Sequence, residues 1–238
     1  MSEKGLLVKV VVVGGTGLVG SKLLHALIER GHDAVPATRS TGVDVLTGAS
    51  VVVDVSDPPS HDDELLAAES DAGVTHHVAL SVVGTDRLAP QSAYFRARLT
   101  QEKLVSGGPV PYTLVRATQF FESLKSTADD AADGDIVRLP SALIQPVASA
   151  DVAEAVSVVT VGDPVNGIVE VGGPEQFRLD ELIQTTFTAR GDARRVVTDP
   201  AAPYRGIELA ERTLLPAEGA HLGETHYADW LLMTAARG

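Results

Sequence analysis

A strand-like segment that breaks into a glycine-rich turn constrains the fold of this chain more than any other stretch. Residues 10–13 are all valine, and an unbroken β-branched run is typical of a strand buried on both faces of a parallel sheet. The run ends at residues 14–20, GGTGLVG. From Leu18 to Arg30 the apolar residues recur at intervals of three and four, which predicts a helix. The glycines therefore lie where a strand turns into a helix.

Gly15, Gly17 and Gly20 have the G-x-G-x-x-G spacing. Between a buried strand and a helix, this spacing is the fingerprint of a dinucleotide site. The glycines let the backbone approach a pyrophosphate, and the helix supplies unpaired N–H groups and the positive end of its dipole. The alternative is a tight turn without a ligand. We predict that the cofactor is contacted by Gly14, Gly15, Thr16, Gly17, Leu18 and Val19.

The end of the next predicted strand, residues 32–38, bears on the choice of cofactor. In a dinucleotide fold an acidic residue there bonds the free ribose 2′-hydroxyl, whereas an arginine accepts a 2′-phosphate. Arg39 lies nineteen positions after Gly20, and Ser40 adds a hydroxyl donor. We therefore predict that NADP(H) is preferred and that NAD(H) is also allowed. The alternative for Arg39 is a solvated surface arginine.

Two further predicted strands end in residues that should face the same crevice. These strands are residues 50–55, SVVVDV, and residues 75–83, THHVALSVV. Open parallel sheets bind ligands at the carboxyl ends of their strands. We therefore expect Val55 and Ser56 to touch the cofactor and Ser81 to point into the crevice.

The stretch between the second strand and the next is too short for a complete crossover. Residues 42–46, GVDVL, could form a strand, but only residues 47–50 separate it from Val51. A parallel crossover with its helix needs at least about 10 residues. We expect residues 42–48 to form a short edge strand or a loop.

Tyr94 and Arg98 are four residues apart in a helix predicted over residues 91–105, and so they share one face of it. A phenol has an ordinary pKa of about 10, and a nearby cation favours its phenolate. Tyr94 beside Arg98 is therefore a candidate proton donor to a carbonyl that receives hydride. The pair is also typical of an ordinary helix surface.

A strand predicted over residues 112–118 ends in a third group of candidate site residues. By the same strand-end rule, Thr118 should contact the cofactor, and Gln119 and Phe120 should line the substrate pocket. Core packing explains Phe120 equally well.

The order of strands and helices predicts an α/β protein with a Rossmann-type doubly wound parallel sheet. We expect residues 1–140 to form the dinucleotide-binding core and residues 141–238 to form a smaller C-terminal portion, partly packed back on the core. In that portion, residues 151–160 predict a helix capped by Ser149, and residues 179–189 predict another.

Composition excludes several classes of function. The formal charge of -13 disfavours nucleic acid as a partner. The chain has no cysteine, which removes disulfides and Cys-based metal sites, and we expect no metal. Neither a signal peptide nor an apolar run of about 20 residues is found. We therefore expect a cytoplasmic protein without a membrane partner, whose partner is a small-molecule substrate, and a homodimer is allowed.

Most of the chain, from about Val8 to about Ile183, resembles the short-chain dehydrogenase/reductase superfamily, and within it the atypical, NmrA-like NAD(P)H-binding branch. The resemblance is carried by GGTGLVG, HHVALSVVG, YFRARLTQE, PYTLVRATQFFE, QPVASADVAEAV and GIVEVGGPEQFRLDEL. It implies a Rossmann fold, a nicotinamide cofactor and a small C-terminal portion that covers the substrate. It also implies that Tyr94 is the catalytic proton donor and that Ser81 is the catalytic serine.

One departure from the family pattern concerns catalysis. The usual lysine four residues after the tyrosine is Arg98 here, and a planar guanidinium does not replace a compact ammonium conservatively. We therefore keep two hypotheses. The first is an NADPH-dependent oxidoreductase that transfers hydride to a small carbonyl, enone or quinone, with Tyr94, Arg98 and Ser81 as catalytic residues. The second is a catalytically weak or inactive NAD(P)-sensing protein. A sugar-nucleotide epimerase ranks third, because the C-terminal portion is short for a nucleotide-sugar.

Overall fold

The computed structural model describes residues 7–38, 41, 45–57 and 63–235. The strands in chain order are β1 (Lys9–Val13), β2 (Asp33–Ala37), β3 (Val51–Asp54), β4 (His76–Val82), β5 (Tyr112–Ala117), β6 (Ala132–Asp133), β7 (Ile136–Leu139), β8 (Leu143–Ile144), β9 (Gly167–Gly172), β10 (Phe177–Arg178), β11 (Arg195–Thr198) and β12 (His221–Leu222). The helices are α1 (Gly20–Glu29), α2 (Asp63–Ala72), α3 (Thr85–Leu88), α4 (Ala93–Gly107), α5 (Leu124–Asp130), α6 (Ser149–Val161), α7 (Leu179–Arg190) and α8 (Tyr227–Ala235), and a 3-10 helix spans Phe121–Ser123. Among the described residues, no helix has the length and apolar character needed to cross a membrane.

The main sheet has seven parallel strands in the order β12-β9-β5-β4-β3-β1-β2. The chain starts at β1, adds β2 on one side and then returns to add β3 on the other side. This reversal creates a topological switch point at the ends of β1 and β3, which is where doubly wound sheets bind ligands. The predicted Rossmann-type α/β fold is confirmed.

The chain forms two compact units, each assembled from several segments. Unit 1 comprises Met1–Ser81, Ala97–Arg116 and Val152–Val169, and unit 2 comprises Val82–Arg96, Ala117–Asp151 and Glu170–Gly238. The sequence predicts one division near residue 140, whereas the segments of these units alternate along the chain.

The core of unit 1 is built around the valine run of β1. Residues 10–13 are fully buried, because β1 has β3 on one side and β2 on the other. Leu23 and Leu27 on α1 are also fully buried. Pro36 pairs with Val12 in β2, the last strand of the sheet order, where the missing N–H of a proline is tolerated.

Unit 2 contains two small sheets and an aromatic core. Strand β10 pairs with β8, and β11, β7 and β6 form a three-stranded sheet. The ring of Phe121 lies 5.0 Å from that of Tyr227 and 5.5 Å from that of Trp230, centroid to centroid. These rings pack α8 onto unit 2, because each buries a large apolar area.

Two local predictions concern Ser149 and residues 42–48. Ser149 was expected to cap a helix, but this prediction is wrong: α6 begins at Ser149 itself, and the Ser149 hydroxyl donates to Glu122 Oε1 at 2.5 Å. The backbone N–H of Ser149 also donates to Glu122 Oε2, at 3.3 Å. Ser149 is thus bound to a residue 27 positions earlier, a partner that a local capping rule cannot identify. In the expected edge strand or loop at 42–48, residues 42–44 lie outside the described residues, and Leu46–Gly48 contain no strand.

Candidate cofactor site and catalytic residues

The glycine-rich turn after β1 is held by backbone hydrogen bonds. The N–H of Gly15 donates to Val12 O at 3.2 Å, and the N–H of Gly17 donates to Gly14 O at 2.9 Å. Thr16, Gly17 and Leu18 form an exposed rim, whereas Gly15 and Val19 are buried. The turn therefore presents its middle residues to the outside.

The glycines of the motif serve two different purposes. A Cβ on Gly15 would lie 2.9 Å from Pro36 Cβ, and one on Gly20 would collide with the backbone of Gly14 and Gly15. A Cβ on Gly17 would meet only Gly14 O, at 3.2 Å. The protein itself thus demands glycine at 15 and 20, while the open side of Gly17 leaves room for a ligand to approach the backbone.

The start of α1 suits an anion. No side chain caps it, and its first turn carries no acidic residue. Within the described part of the chain, the N–H groups of Thr16, Leu18 and Val19 have no hydrogen-bond acceptor. Unpaired amides at the positive end of a helix dipole bind phosphate groups. The residues present therefore fit the pyrophosphate of a dinucleotide, which these three amides would hold.

The predicted contacts Val55 and Ser56 lie beside this turn. The N–H of Val55 donates to Val13 O at 3.0 Å. Ser56 packs against Gly14, since a Cβ on Gly14 would come within 2.9 Å of Ser56 Cβ. Both residues are half-buried. Arg39 and Ser40, the residues predicted to read the ribose, lie outside the described residues.

Ser81 lies at the end of β4, where the sequence places it, and its hydroxyl is engaged by the protein. It is buried and donates to Glu102 Oε1 at 2.5 Å. The same carboxylate accepts two hydrogen bonds from Arg116, at 2.9 and 2.7 Å. This charge pair is buried and bidentate, the geometry that best compensates desolvation. The Ser81 hydroxyl therefore donates its hydrogen bond to another side chain of unit 1.

Arg98 is only 6% exposed and contacts the ends of two strands. Its Nη1 donates to Ser56 O and to Leu80 O, both at 3.0 Å. Its Nη2 donates to Asp57 Oδ1 at 3.1 Å. The guanidinium thus uses several of its donors to hold backbone and loop groups. Its predicted catalytic role stays a prediction.

Tyr94, four residues earlier on α4, has a different environment. Its side chain is 43% exposed, and its ring packs edge to face on Phe95 at 5.2 Å between centroids. An exposed phenol is accessible to a substrate. Its role as proton donor stays a prediction.

In unit 2, the predicted residues after β5 combine burial with unsatisfied polar atoms. Thr118 is 2% exposed, and its Oγ1 has no hydrogen-bond partner among the described residues. The same holds for Gln119 Oε1. Buried polar atoms left without a partner cost free energy, so these two atoms are candidates for contact with a ligand. Phe120, half-buried, pairs with Val147 through a backbone bridge.

Sequence reasoning did not single out the polar residues that surround these candidates. In unit 1 they are Asp54, Gln101, Glu102 and Arg116, and in unit 2 they are Gln145 and Gln176. Gln101 and Glu102 lie three and four residues after Arg98, one turn further along the same face of α4, so a helical plot could have marked them as buried polar residues. Their partners on other strands carry no local signal.

The neighbouring histidines His76 and His77 on β4 make their contacts inside the fold. Both are buried; His76 Nε2 contacts Thr113 Oγ1 at 2.9 Å, and His77 Nδ1 contacts Glu69 Oε2 at 2.7 Å. Burial lowers the pKa of His76 to about 4. His76 is therefore neutral at pH 7, as its packing in the strand requires.

Residues 10–106, which contain the glycine-rich turn, the ends of β3 and β4, and most of α4, match the NAD dependent epimerase/dehydratase family. This match agrees with the resemblance of the sequence to the short-chain dehydrogenase/reductase superfamily. The assignment to its NmrA-like branch stays a prediction. The match is in keeping with the predicted Rossmann fold and nicotinamide cofactor.

The chain is similar in sequence to a (4-alkanoyl-5-oxo-2,5-dihydrofuran-3-yl)methyl phosphate reductase from Streptomyces griseus. The two are 28% identical over 241 residues, which cover 88% of this chain and 81% of the relative.

Two solved structures share the fold of this chain. One is an NADPH-dependent quinone oxidoreductase from Escherichia coli, with a TM-score of 0.70, 15% identity, and coverage of 95% of this chain and 99% of the other. The other is a dTDP-4-dehydrorhamnose reductase from Clostridium acetobutylicum, with a TM-score of 0.68, 15% identity, and coverage of 96% and 99%.

Proposed function

We propose that this protein is an NADPH-dependent reductase of a small, electron-poor carbonyl compound. The observation that carries the proposal is the start of α1, where three backbone amides without acceptors meet an uncapped helix end that has no acidic residue in its first turn. That arrangement suits two linked phosphates, and the superfamily uses the dinucleotide for hydride transfer.

The substrate class is an enone, a quinone or a small ketone. The name of the Streptomyces relative describes an unsaturated lactone whose double bond is conjugated to the ring carbonyl and to an acyl group. Such a double bond accepts hydride readily, because the developing negative charge spreads onto two carbonyl oxygens. The Escherichia coli structure is named for quinones, which accept hydride for the same reason.

The chain's own residues would have three tasks in this reaction. The amides of Thr16, Leu18 and Val19 bind the pyrophosphate and so orient the cofactor. The bound nicotinamide supplies the hydride. Tyr94 then donates a proton to the substrate oxygen or carbon that has become negative. Thr118 and Gln119 add unsatisfied polar atoms that can hold the nicotinamide or the substrate.

The preference for NADPH rests on Arg39 and Ser40, which follow the second strand where a ribose 2′-phosphate is read. A guanidinium forms charge-assisted, bidentate hydrogen bonds with a phosphate. We expect NADPH to bind at least about 10-fold more tightly than NADH, equivalent to about 1.4 kcal/mol. Calorimetric titration with both cofactors measures this ratio, and tighter binding of NADH would overturn the preference.

The activity is tested by following the loss of NADPH absorbance with a panel of acyl butenolides, quinones and ketones. Tyr94→Phe should lower kcat by at least about 100-fold, the usual contribution of a general acid, and should change the Kd of NADPH by less than about 2-fold. Tyr112→Phe, on β5, is the matched control and should keep full activity. Unchanged turnover in Tyr94→Phe would remove this residue from the mechanism.

A cofactor-sensing protein is the second candidate function. It is favoured by the hydrogen bonds that Ser81 makes with Glu102 and that Arg98 makes with Ser56 O and Leu80 O. Through these bonds, two predicted catalytic side chains serve the packing of the protein. A cofactor-sensing protein would bind NADPH with a measurable Kd. It would not oxidise NADPH in the presence of any substrate of the panel.

A further inference from the structure

A buried hydrogen-bond network in unit 1 connects α4 to the loop after β3. Arg98 donates to Ser56 O at 3.0 Å and to Gln101 Oε1 at 3.2 Å. Gln101 in turn donates from Nε2 to Asp54 Oδ2 at 3.0 Å. Arg98, Gln101 and Asp54 are 6%, 4% and 2% exposed. Solvent therefore cannot substitute for these bonds without opening the packing.

The network converges on a single residue, Ser56. Asp54 Oδ1 accepts from the Ser56 N–H at 2.9 Å and also from the Ser56 hydroxyl. The Ser56 carbonyl oxygen accepts from Arg98. The backbone N–H, the side chain and the carbonyl of Ser56 are thus all held by buried groups. A half-buried loop residue fixed in this way has little freedom to shift.

Ser56 lies directly against the glycine-rich turn. A Cβ on Gly14 would come within 2.9 Å of Ser56 Cβ and 3.0 Å of Ser56 N. Gly14 also has a φ of +80°, a conformation that favours glycine. No space is left for a side chain between the two residues, so a shift of Ser56 toward the turn would push against Gly14. The N–H of Gly17 donates to Gly14 O, which transmits that displacement to the rim of the turn.

We propose that Arg98, Gln101 and Asp54 are positioning residues for the dinucleotide: they hold Ser56 against Gly14 and thereby place the phosphate-binding amides. In this assignment Arg98 acts on the cofactor through Ser56 and does not touch the reacting atoms. The inference rests on the proposed function to the extent that the turn binds NADPH.

Arginine is suited to this task in a way that lysine is not. The planar guanidinium presents five N–H donors in a fixed fork, whereas an ammonium is a compact point charge with three. From one position on α4, Arg98 reaches Ser56 O, Leu80 O and Asp57 Oδ1 together. A lysine at 98 would restore the residue that the superfamily uses at this spacing, but its single nitrogen could not hold these acceptors from two separate positions, as Nη1 and Nη2 of Arg98 do.

Arg98→Lys therefore separates the positioning role from a catalytic role. We expect the Kd and the KM of NADPH to rise about 10-fold, as misplaced binding groups do, while kcat at saturating NADPH and its pH profile stay unchanged. If Arg98 instead supports Tyr94 directly, the variant should keep its NADPH affinity and change kcat or the pH profile, which would overturn the proposal. A lower melting temperature with unchanged Kd would overturn it as well, since it would show a merely structural role.

Two further variants test the network if Arg98→Lys does not fold. Gln101→Met keeps the volume of the side chain but breaks the link to Asp54, and Ser56→Ala removes the hydroxyl contact. Each should raise the Kd of NADPH by about 3-fold, because part of the network survives. Equal Kd values in both variants and in the unsubstituted protein would overturn the proposal.

Arg96→Lys is the matched control. Arg96 lies two residues earlier on α4, is exposed, and also donates to backbone carbonyls, those of Ala89 and Pro90. Its replacement should leave the Kd of NADPH unchanged. If the unsubstituted protein bound neither NADPH nor NADH, the proposed function would fail. If it bound NADPH and Arg98→Lys bound equally well, only the positioning role would fail.

Discussion

Helices α1 and α7 both follow a strand, but their first turns are built in opposite ways. Neither helix has a side-chain cap, but the first turn of α1 has no acidic residue, and the turn before it is an exposed rim around Gly17. The first turn of α7 carries Asp180 and Glu181. Asp180 is buried, and its Oδ2 accepts a hydrogen bond from Thr198 Oγ1 at 2.6 Å.

The difference distinguishes a helix N-terminus that is neutralised by its own side chains from one that is left to bind an anionic ligand. The N-terminus of a helix attracts negative charge, and α7 meets this attraction with its own carboxylates. At α1 the corresponding positions hold Ser21 and Lys22, and Lys22 Nζ donates to Leu18 O at 2.9 Å. In a chain with a formal charge of -13, this end of α1 stays positive, which leaves it to an anionic ligand.

The largest expected effect comes from Gly20→Ala, which should disrupt the glycine-rich turn that precedes α1 and has no counterpart before α7. The new Cβ would collide with backbone atoms of Gly14 and Gly15, and backbone cannot move aside as a side chain can. We expect the free energy of unfolding to fall by about 3 kcal/mol, measured by urea denaturation. Gly107→Ala is the control, because a Cβ there would meet nothing within 4 Å. Equal stability of the two variants would contradict the packing argument.

Gly17→Ala should have the opposite profile, with a large loss of binding and little loss of stability. The new Cβ would meet only Gly14 O at 3.2 Å, but it would occupy the space in which a phosphate approaches the amides. We expect the Kd of NADPH to rise about 30-fold, or about 2 kcal/mol, measured by calorimetry beside a thermal melt. A variant that bound NADPH normally would show that the phosphates do not approach this side of the turn.

The turn could be predicted from the sequence because all of its determinants are local. The valine run, the spacing of Gly15, Gly17 and Gly20, and the periodicity of α1 agree within a few consecutive residues. Most of the other strands of the main sheet, and the helices that connect them, were predictable for the same reason. The short helix α3, Thr85–Leu88, was not predicted, since four residues are too few to show a period.

The surroundings of the candidate catalytic residues could not be predicted, because they depend on contacts between distant segments. Arg98 and Ser56 are 42 residues apart, and Arg98 and Leu80 are 18 apart. Helical spacing indicated only that Arg98 shares a face with Tyr94. Which acceptors the guanidinium meets is decided by how α4 packs on β3 and β4, and a pattern in one segment carries no information about that packing.

The smallest expected effect tests the contrast between the two helices directly, by giving α1 the acidic first turn of α7. Ser21 is exposed, and its hydroxyl donates to Gly17 O at 2.9 Å, so Ser21→Asp adds a carboxylate without disturbing the core. Repulsion of about 1 kcal/mol between this carboxylate and a bound pyrophosphate should raise the Kd of NADPH about 5-fold. The same charge should stabilise α1 by about 0.5 kcal/mol.

Ser21→Asn has nearly the same shape without the charge and is the matched control, for which we expect no change in Kd. The effect of Ser21→Asp should shrink as salt is added, since exposed charges are screened over about 10 Å at 0.1 M ionic strength. In unit 2, Glu181→Gln should weaken α7 by a similar small amount and leave NADPH binding unchanged. If Ser21→Asp and Ser21→Asn bound NADPH equally at low salt, the anion would not lie at this helix end, and the contrast between α1 and α7 would concern stability alone.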